Sequence, residues 1–128
     1  MSKAAPHEPW LRKAENDFKT VEVLIREAPG LTAAICFHSQ QCAEKLIKTL
    51  LVIEGKRPPY VHDLRKLFEK VNDFSLSEEA IEYLDFLSDY AVAARYPDCE
   101  PDQIEARKAF KAISSIRSEL YKQIEKSV

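Results

Sequence analysis

Apolar residues recur at three- and four-residue spacings along most of the chain, a period typical of amphipathic α-helices. The pattern predicts a first helix from Pro9 to about Glu27, which Pro29-Gly30 ends. A second helix is expected from Thr32 to about Glu54, with Gly55 just beyond its end. A short third helix is expected from Asp63 to Val71.

Two further helices are separated by prolines. Ser77 is a typical N-cap residue, so the fourth helix is expected to begin there and to end before Pro97. Pro101 suits the first turn of the fifth helix, whose apolar positions continue to Ile124. No segment shows the alternation typical of a strand. The sequence therefore predicts an all-α protein, an up-and-down bundle of four long helices plus one short helix.

Length and composition are typical of one soluble domain. The chain has 128 residues, of which 45% are hydrophobic and 31% charged, and a single domain is expected over residues 1–128, with residues 1–8 as a flexible N-terminus. The formal charge of −2 excludes a strongly basic, nucleic-acid-type composition. Neither a signal-peptide core nor an apolar run of roughly 20 residues is found. Three cysteines without paired spacing favour a reducing compartment, so a cytoplasmic location is predicted.

The middle of the second helix carries polar residues where the period predicts core. Four of them share one face, because they lie three, four or seven residues apart: His38, Gln41, Cys42 and Lys45. Buried polar groups need partners, so this face is either a satisfied internal network or a binding site. A helix that is apolar on two sides is central in its bundle or packs against a second subunit. The nearby pair Glu44–Lys48 is assigned to the solvated side.

A second polar group, Arg95-Tyr96-Pro97-Asp98, follows the apolar stripe of the fourth helix. Arg95 lies four residues after Ala91 and therefore extends the inward face. An inward guanidinium stays ionised and needs an anion. Asp98 is the internal candidate and a bound phosphate the external one, while the Tyr96 ring is suited to stacking on a base. A structural Arg–Asp pair and a ligand site both remain open.

Taken in order, four segments resemble the successive motifs of the HEPN domain (higher eukaryote and prokaryote nucleotide-binding), in its small stand-alone prokaryotic type. They span nearly the whole chain: Trp10-x-x-x-Ala14-x-x-Asp17, Phe37-His38-Ser39-Gln40-Gln41-Cys42-Ala43-Glu44-Lys45, His62-Asp63-Leu64-x-x-Leu67 and Ala94-Arg95-Tyr96-Pro97-Asp98. The resemblance implies a helical bundle that forms a homodimer and acts with a separately encoded minimal nucleotidyltransferase. Many such pairs behave as toxin–antitoxin modules, and many relatives are metal-independent ribonucleases.

The chain departs from the ribonuclease pattern of that family. Ribonuclease-type relatives carry an arginine that is soon followed by a histidine, but no histidine follows Arg95. Arg57 and His62 match the spacing, in the loop before the third helix, and we interpret this match as a coincidence. Arg95 and His38 are therefore only weak candidates for catalysis. His62 and Asp63 are weaker ligand candidates, for which capping the third helix is the alternative.

Three hypotheses follow. The first is a non-catalytic HEPN module that binds a nucleotide or RNA, or its nucleotidyltransferase partner. Its anion- and base-binding residues are expected to be His38, Gln41, Lys45, Arg95, Tyr96 and Asp98. The second is a ribonuclease in which Arg95 positions the phosphate and His38 acts as general acid–base. The third is a purely structural dimerisation partner. The missing histidine favours the first, and the scattered histidines and cysteines indicate no metal or cofactor.

Overall fold

Helices account for most of residues 5–93 and 100–127, which are the residues that the computed structural model describes. The helices are α1 (Glu8–Glu27), α2 (Thr32–Ile53), α3 (Leu64–Phe68), α4 (Glu78–Ser88), α5 (Tyr90–Ala93) and α6 (Gln103–Ser127). These described residues contain no strand. None of their helices is long and apolar enough to cross a bilayer. The prediction of an all-α bundle with four long helices is therefore confirmed.

Local sequence signals set most helix ends. Gly55 adopts φ +77°, the left-handed conformation that commonly follows a helix and that glycine adopts without strain. The Ser77 hydroxyl accepts a hydrogen bond from Ala80 N at 3.2 Å and caps α4 as predicted. Helix α1 already begins at Glu8, so it includes the last residue of the segment expected to be flexible.

The predicted fourth helix is interrupted at Asp89, which separates α4 from α5. Ser88 lies immediately before the break. Its hydroxyl donates to the carbonyl of Leu84 at 2.9 Å and accepts from the backbone N–H of Leu64 at 2.9 Å. A serine bond to the carbonyl four residues earlier often bends a helix, and at Ser88 it is combined with the bond from Leu64. The same hydroxyl also fixes the start of α3 against α4.

Helix α2 is the central element, because it packs against each of the other five helices. The short connection from Ala28 to Leu31 makes α1 and α2 antiparallel neighbours. Each apolar side chain that α2 buries contributes roughly 1.5–3 kcal/mol. The largest of them are fully buried: Ile35, Leu46, Ile47, Leu50 and Leu51. The sequence predicted that α2 is central in its bundle or packs against a second subunit, and the structure places it at the centre of the bundle.

Candidate functional site

Helix α2 buries several polar side chains in the middle of the bundle. Ser39 and Thr49 bond to carbonyls of their own helix, Ser39 to Ile35 O and Thr49 to Lys45 O, each at 2.7 Å. Their hydroxyls are therefore satisfied locally. Glu44 is different, because its carboxylate is buried and contacts a residue of the loop before α3 as well as residues of α2.

The Glu44 carboxylate is surrounded by three donor groups although only 6% of the residue is exposed. Lys48 Nζ donates to one oxygen at 3.2 Å, and His62 Nδ1 lies 3.1 Å from the other. Gln40 Nε2 donates to that second oxygen at a longer 3.4 Å. The assignment of Glu44–Lys48 to the solvated side was wrong. The loop between α2 and α3 brings His62 to the buried Glu44, and Lys48 keeps only 12% of its side-chain surface exposed.

A cavity of about 420 Å³ opens beside this carboxylate, and we call it the Glu44 pocket. Its volume lies within the range of small-molecule sites, roughly 300–1,000 Å³. It is lined by Phe37, Gln41, Glu44, Lys48, Tyr60, His62 and Ala91. The pocket thus combines aromatic rings with an amide, a carboxylate and an ammonium group.

Tyr60 stands at the mouth of the Glu44 pocket with 94% of its surface exposed. Its ring meets the His62 ring edge to face, with centroids 5.6 Å apart. Gln41 donates from Nε2 to Gln40 Oε1 at 2.8 Å, which orients its amide within the pocket wall. The pocket therefore offers a flat exposed ring and oriented polar groups within one small space.

Tyr90 fixes the α5 side of the pocket. Its hydroxyl donates to Glu105 Oε2 at 2.6 Å and so ties α5 to the first turn of α6. Burial, with this hydrogen bond to a carboxylate, raises the pKa of the Tyr90 hydroxyl. Glu105 also receives support from Asp102, because the two residues form reciprocal side-chain to backbone bonds at the start of α6. Ala91 is thereby held against the pocket.

A second polar group lies between α1 and α2, and we call Asp17, His38 and Lys45 the Asp17 cluster. Asp17 Oδ1 lies 2.9 Å from His38 Nδ1, and Lys45 Nζ donates to Asp17 Oδ2 at 2.6 Å. Asp17 is buried, whereas the His38 side chain keeps 33% of its surface exposed. A carboxylate bound to Nδ1 fixes the orientation of the His38 ring.

The structure thus assigns the residues of the predicted polar face of α2 to two separate groups. Gln41 lines the Glu44 pocket, together with His62. His38 and Lys45 belong instead to the Asp17 cluster. Asp63 caps α3 by accepting from Lys66 N at 3.0 Å. The other three predicted residues lie outside the described residues: Arg95, Tyr96 and Asp98.

The acidic residues at the centre of both groups were missing from the predicted site. Asp17 lies within the apolar stripe of α1 between Ala14 and Phe18, and Glu44 follows the buried Ala43 in α2. A carboxylate inside an apolar stripe is itself a signal, since burying it is costly unless it has partners. Tyr60 gave an ambiguous signal, because its ring was expected either to line a pocket or to pack against the helices.

Two cysteines of α2 are buried thiols. Cys42 is buried, and burial raises the pKa of its thiol. Burial, together with the charges of Glu105 and Asp102, raises the pKa of Cys36 to about 12. Among the residues that the structure describes, no three His, Cys, Asp or Glu side chains come together in a group able to hold a metal ion.

Another groove, of about 450 Å³, lies where the end of α2 meets the end of α6. Glu54, one of the two acidic residues that line it, accepts from Lys56 Nζ at 2.7 Å, from Asn72 N at 2.9 Å and from Asp73 N at 2.7 Å. These bonds hold the turn after α3. The Glu54 side chain therefore serves the fold, and the chemistry of the Glu44 pocket is the richer of the two.

Comparison with known proteins gives a family and a fold. The family model of the HEPN domain matches residues 7–124. The crystal structure of TT1696 from Thermus thermophilus is similar, with a TM-score of 0.77 and 24% identity, over 98% of this chain and 100% of that one. The crystal structure of ST0689, an archaeal HEPN homologue, has a TM-score of 0.72 and 24% identity, over 97% of this chain and 99% of that one. No curated protein matches the chain significantly.

Proposed function

The chain belongs to the HEPN domain family, and on that premise we propose that it is a non-catalytic module whose Glu44 pocket binds a nucleotide. The observation that carries this proposal is the exposed Tyr60 ring at the mouth of a cavity that holds oriented polar groups. Stacking of a base on an aromatic ring is worth about 1–3 kcal/mol and tolerates any base.

The polar lining supports the same ligand class. The Gln41 amide has both donors and an acceptor, which is the combination that the edge of a base requires. Lys48 supplies a positive charge for a phosphate, although Glu44 already balances part of that charge. Ala91 lines the pocket and precedes Arg95 by four residues in the sequence. We therefore keep Arg95 as the proposed phosphate contact, with Tyr96 and Asp98 beside it.

Isothermal titration calorimetry with a panel of nucleoside mono- and triphosphates tests the proposal. Saturable binding by at least one nucleotide is expected, and Tyr60→Ala and Gln41→Ala are each expected to weaken it about tenfold. Ile104→Ala is the matched control, because Ile104 is also a large exposed side chain but lies on α6, outside the pocket. Absence of saturable binding, or equal affinity in all variants, would refute the proposal.

A metal-independent ribonuclease is the second candidate, and the Asp17 cluster favours it. The contact between Asp17 and His38 Nδ1 orients an imidazole that keeps a third of its side-chain surface exposed, an arrangement that suits a general acid–base. In this mechanism Arg95 positions the RNA phosphate while His38 exchanges protons with the 2′-hydroxyl and the leaving group. The family's usual histidine is missing, which is why we rank this function second.

Incubation with end-labelled single-stranded RNA in the presence of EDTA distinguishes the two functions. If the protein is a ribonuclease, cleavage is expected and is abolished by His38→Ala and by Arg95→Ala. His7→Ala is the matched histidine control, since His7 precedes α1 and takes no part in the Asp17 cluster. Nucleotide binding without cleavage supports the binding module.

We further propose that the protein acts in the cytoplasm as a homodimer and pairs with a minimal nucleotidyltransferase. The family resemblance supports both partners, and the large exposed apolar side chains Val23, Leu31 and Ile104 supply surface that a partner can cover. Sedimentation equilibrium and co-purification with a co-expressed minimal nucleotidyltransferase are the tests. A dimer that binds neither nucleotide nor RNA would favour a purely structural role, and a monomer at all concentrations would contradict dimerisation.

A further inference from the structure

Trp10, in the first turns of α1, lies close to two lysines of different helices. Lys13 Nζ is 5.9 Å from the centre of the indole ring and Lys48 Nζ is 5.6 Å from it. Both distances fall within the range of a cation–π contact. The indole is half-buried and Lys13 is exposed. An aromatic ring therefore lies between α1 and α2 with two ammonium groups near it, that of the exposed Lys13 and that of Lys48, whose side chain is 12% exposed.

Lys48 joins this ring to the Glu44 pocket. The same ammonium group that contacts the indole donates to Glu44 at 3.2 Å, and Lys48 is one of the residues that line the pocket. Trp10 itself does not line the pocket. The indole therefore lies just beyond the pocket wall, one lysine side chain away from the buried carboxylate.

The arrangement repeats the chemistry of the pocket. In the pocket, the Tyr60 ring accompanies Lys48, and outside it the Trp10 ring accompanies Lys13. Proteins that bind single-stranded nucleic acid place successive bases on successive aromatic rings and track the phosphates with cationic side chains. An exposed lysine on a mobile stem can leave the ring for a phosphate when a base takes its place.

We infer that Trp10 and Lys13 form a second subsite beside the Glu44 pocket, so that the preferred ligand is a single-stranded oligonucleotide rather than a mononucleotide. This inference rests on the proposed nucleotide binding. One base stacks on Tyr60 in the pocket and the next on Trp10. Lys48 lies between them at the linking phosphate, and Lys13 meets the following phosphate.

The chain contains one tryptophan, so its fluorescence reports on this subsite directly. Nucleoside monophosphates and the matching 5′-phosphorylated dinucleotides, in ribo and deoxyribo forms, are titrated by calorimetry while the Trp10 emission is followed. The dinucleotide, in either sugar form, is expected to bind about tenfold more tightly than the mononucleotide and to quench the emission more strongly.

Variants separate a subsite from a structural role. Trp10→Ala and Lys13→Gln are expected to bring the dinucleotide to within about twofold of the mononucleotide, with mononucleotide affinity unchanged. Trp10→Phe keeps a ring and is expected to retain most of the tenfold advantage. Lys19→Gln is the matched lysine control, since Lys19 is exposed on the same helix but has no contact with the indole. If Trp10→Ala does not fold, Lys13→Gln and Trp10→Phe still decide the question.

Equal affinity of mono- and dinucleotides for the unmodified protein would overturn the second subsite and leave the proposed function intact, because the pocket would still bind. A loss of both ligands in equal proportion on Trp10→Ala would also overturn it, by assigning Trp10 a structural role. If no nucleotide of either length binds, the proposed function fails and the subsite fails with it.

Discussion

The Asp17 cluster allows a quantitative prediction, because its central carboxylate is buried while its two partners are partly exposed. Asp17 keeps 11% of its side-chain surface exposed and contacts both Lys45 and His38. Removing one partner of a fully buried ion pair costs about 3–5 kcal/mol. Lys45 and His38 are only partly buried, so water recovers some of this loss. We expect Asp17→Ala to lower the free energy of unfolding by about 2–3 kcal/mol.

Urea and thermal unfolding followed by circular dichroism measure this effect. For a domain of this size the loss corresponds to a fall in Tm of about 10 °C. Asp85→Ala is the matched control, because Asp85 pairs with Arg65 at 3.0 Å while keeping 49% of its side-chain surface exposed. That exposed pair is expected to contribute about 0–1 kcal/mol.

A second change tests the cause of the loss. After Asp17→Ala the Lys45 ammonium has lost its partner, so adding Lys45→Met is expected to recover about 1 kcal/mol. The reasoning is refuted if Asp17→Ala costs no more than Asp85→Ala. It is also refuted if Lys45→Met deepens the loss, because an isolated ammonium group would then not be the source of the destabilisation.

Three further predictions concern stability and thiol reactivity. Burial raises the pKa of Glu54, but the hydrogen bonds to its carboxylate lower that pKa more, so the folded value lies below the unfolded one. The ionised carboxylate therefore stabilises the fold fully above the unfolded pKa, about 4.3. This stabilisation is lost as the pH falls through the lower folded value. Glu54→Gln should therefore lower the free energy of unfolding, measured in urea at neutral pH, by about 1–2 kcal/mol, and the difference from the unmodified protein should shrink in acid. A difference that grows in acid, or an equal loss in the exposed control Glu22→Gln, would contradict this. Gly55→Ala should lower the free energy of unfolding by about 1 kcal/mol because of its positive φ, whereas Gly30→Ala, without a positive φ or a close neighbour, should be nearly neutral. The buried Cys36 thiol, with its pKa raised to about 12, should resist iodoacetamide in the native protein and react after unfolding, as followed by peptide mass spectrometry; rapid native labelling would show that it is accessible.

The helices were largely predictable because their signals are local. The apolar period, the cap at Ser77 and the positive φ at Gly55 depend on residues within a turn or two of one another. The interruption of the fourth helix was not predictable in this way. Beside the break, the Ser88 hydroxyl accepts a hydrogen bond from Leu64, a residue 24 positions earlier in the chain, and a contact across that distance exists only in the folded protein.

The candidate site shows the same division. The sequence drew attention to the middle of α2 and, through the order of four motifs, to the HEPN family that the comparison confirms. It could not say which polar residues share a space. Gln41 and Lys45 lie on one predicted face, yet Gln41 lines the Glu44 pocket while Lys45 binds Asp17.

The sequence by itself determined the all-α class, most helix ends and the family, since each depends on residue order and short-range geometry. Only the tertiary structure decided that Glu44 is buried, that His62 reaches it from 18 positions away, and that Asp17 reaches Lys45 across 28. The physical reason is that a charged pair at helical spacing has the same sequence pattern whether it is exposed to water or covered by another part of the chain. Its burial, and therefore its chemistry, depends on what the rest of the chain packs on top of it.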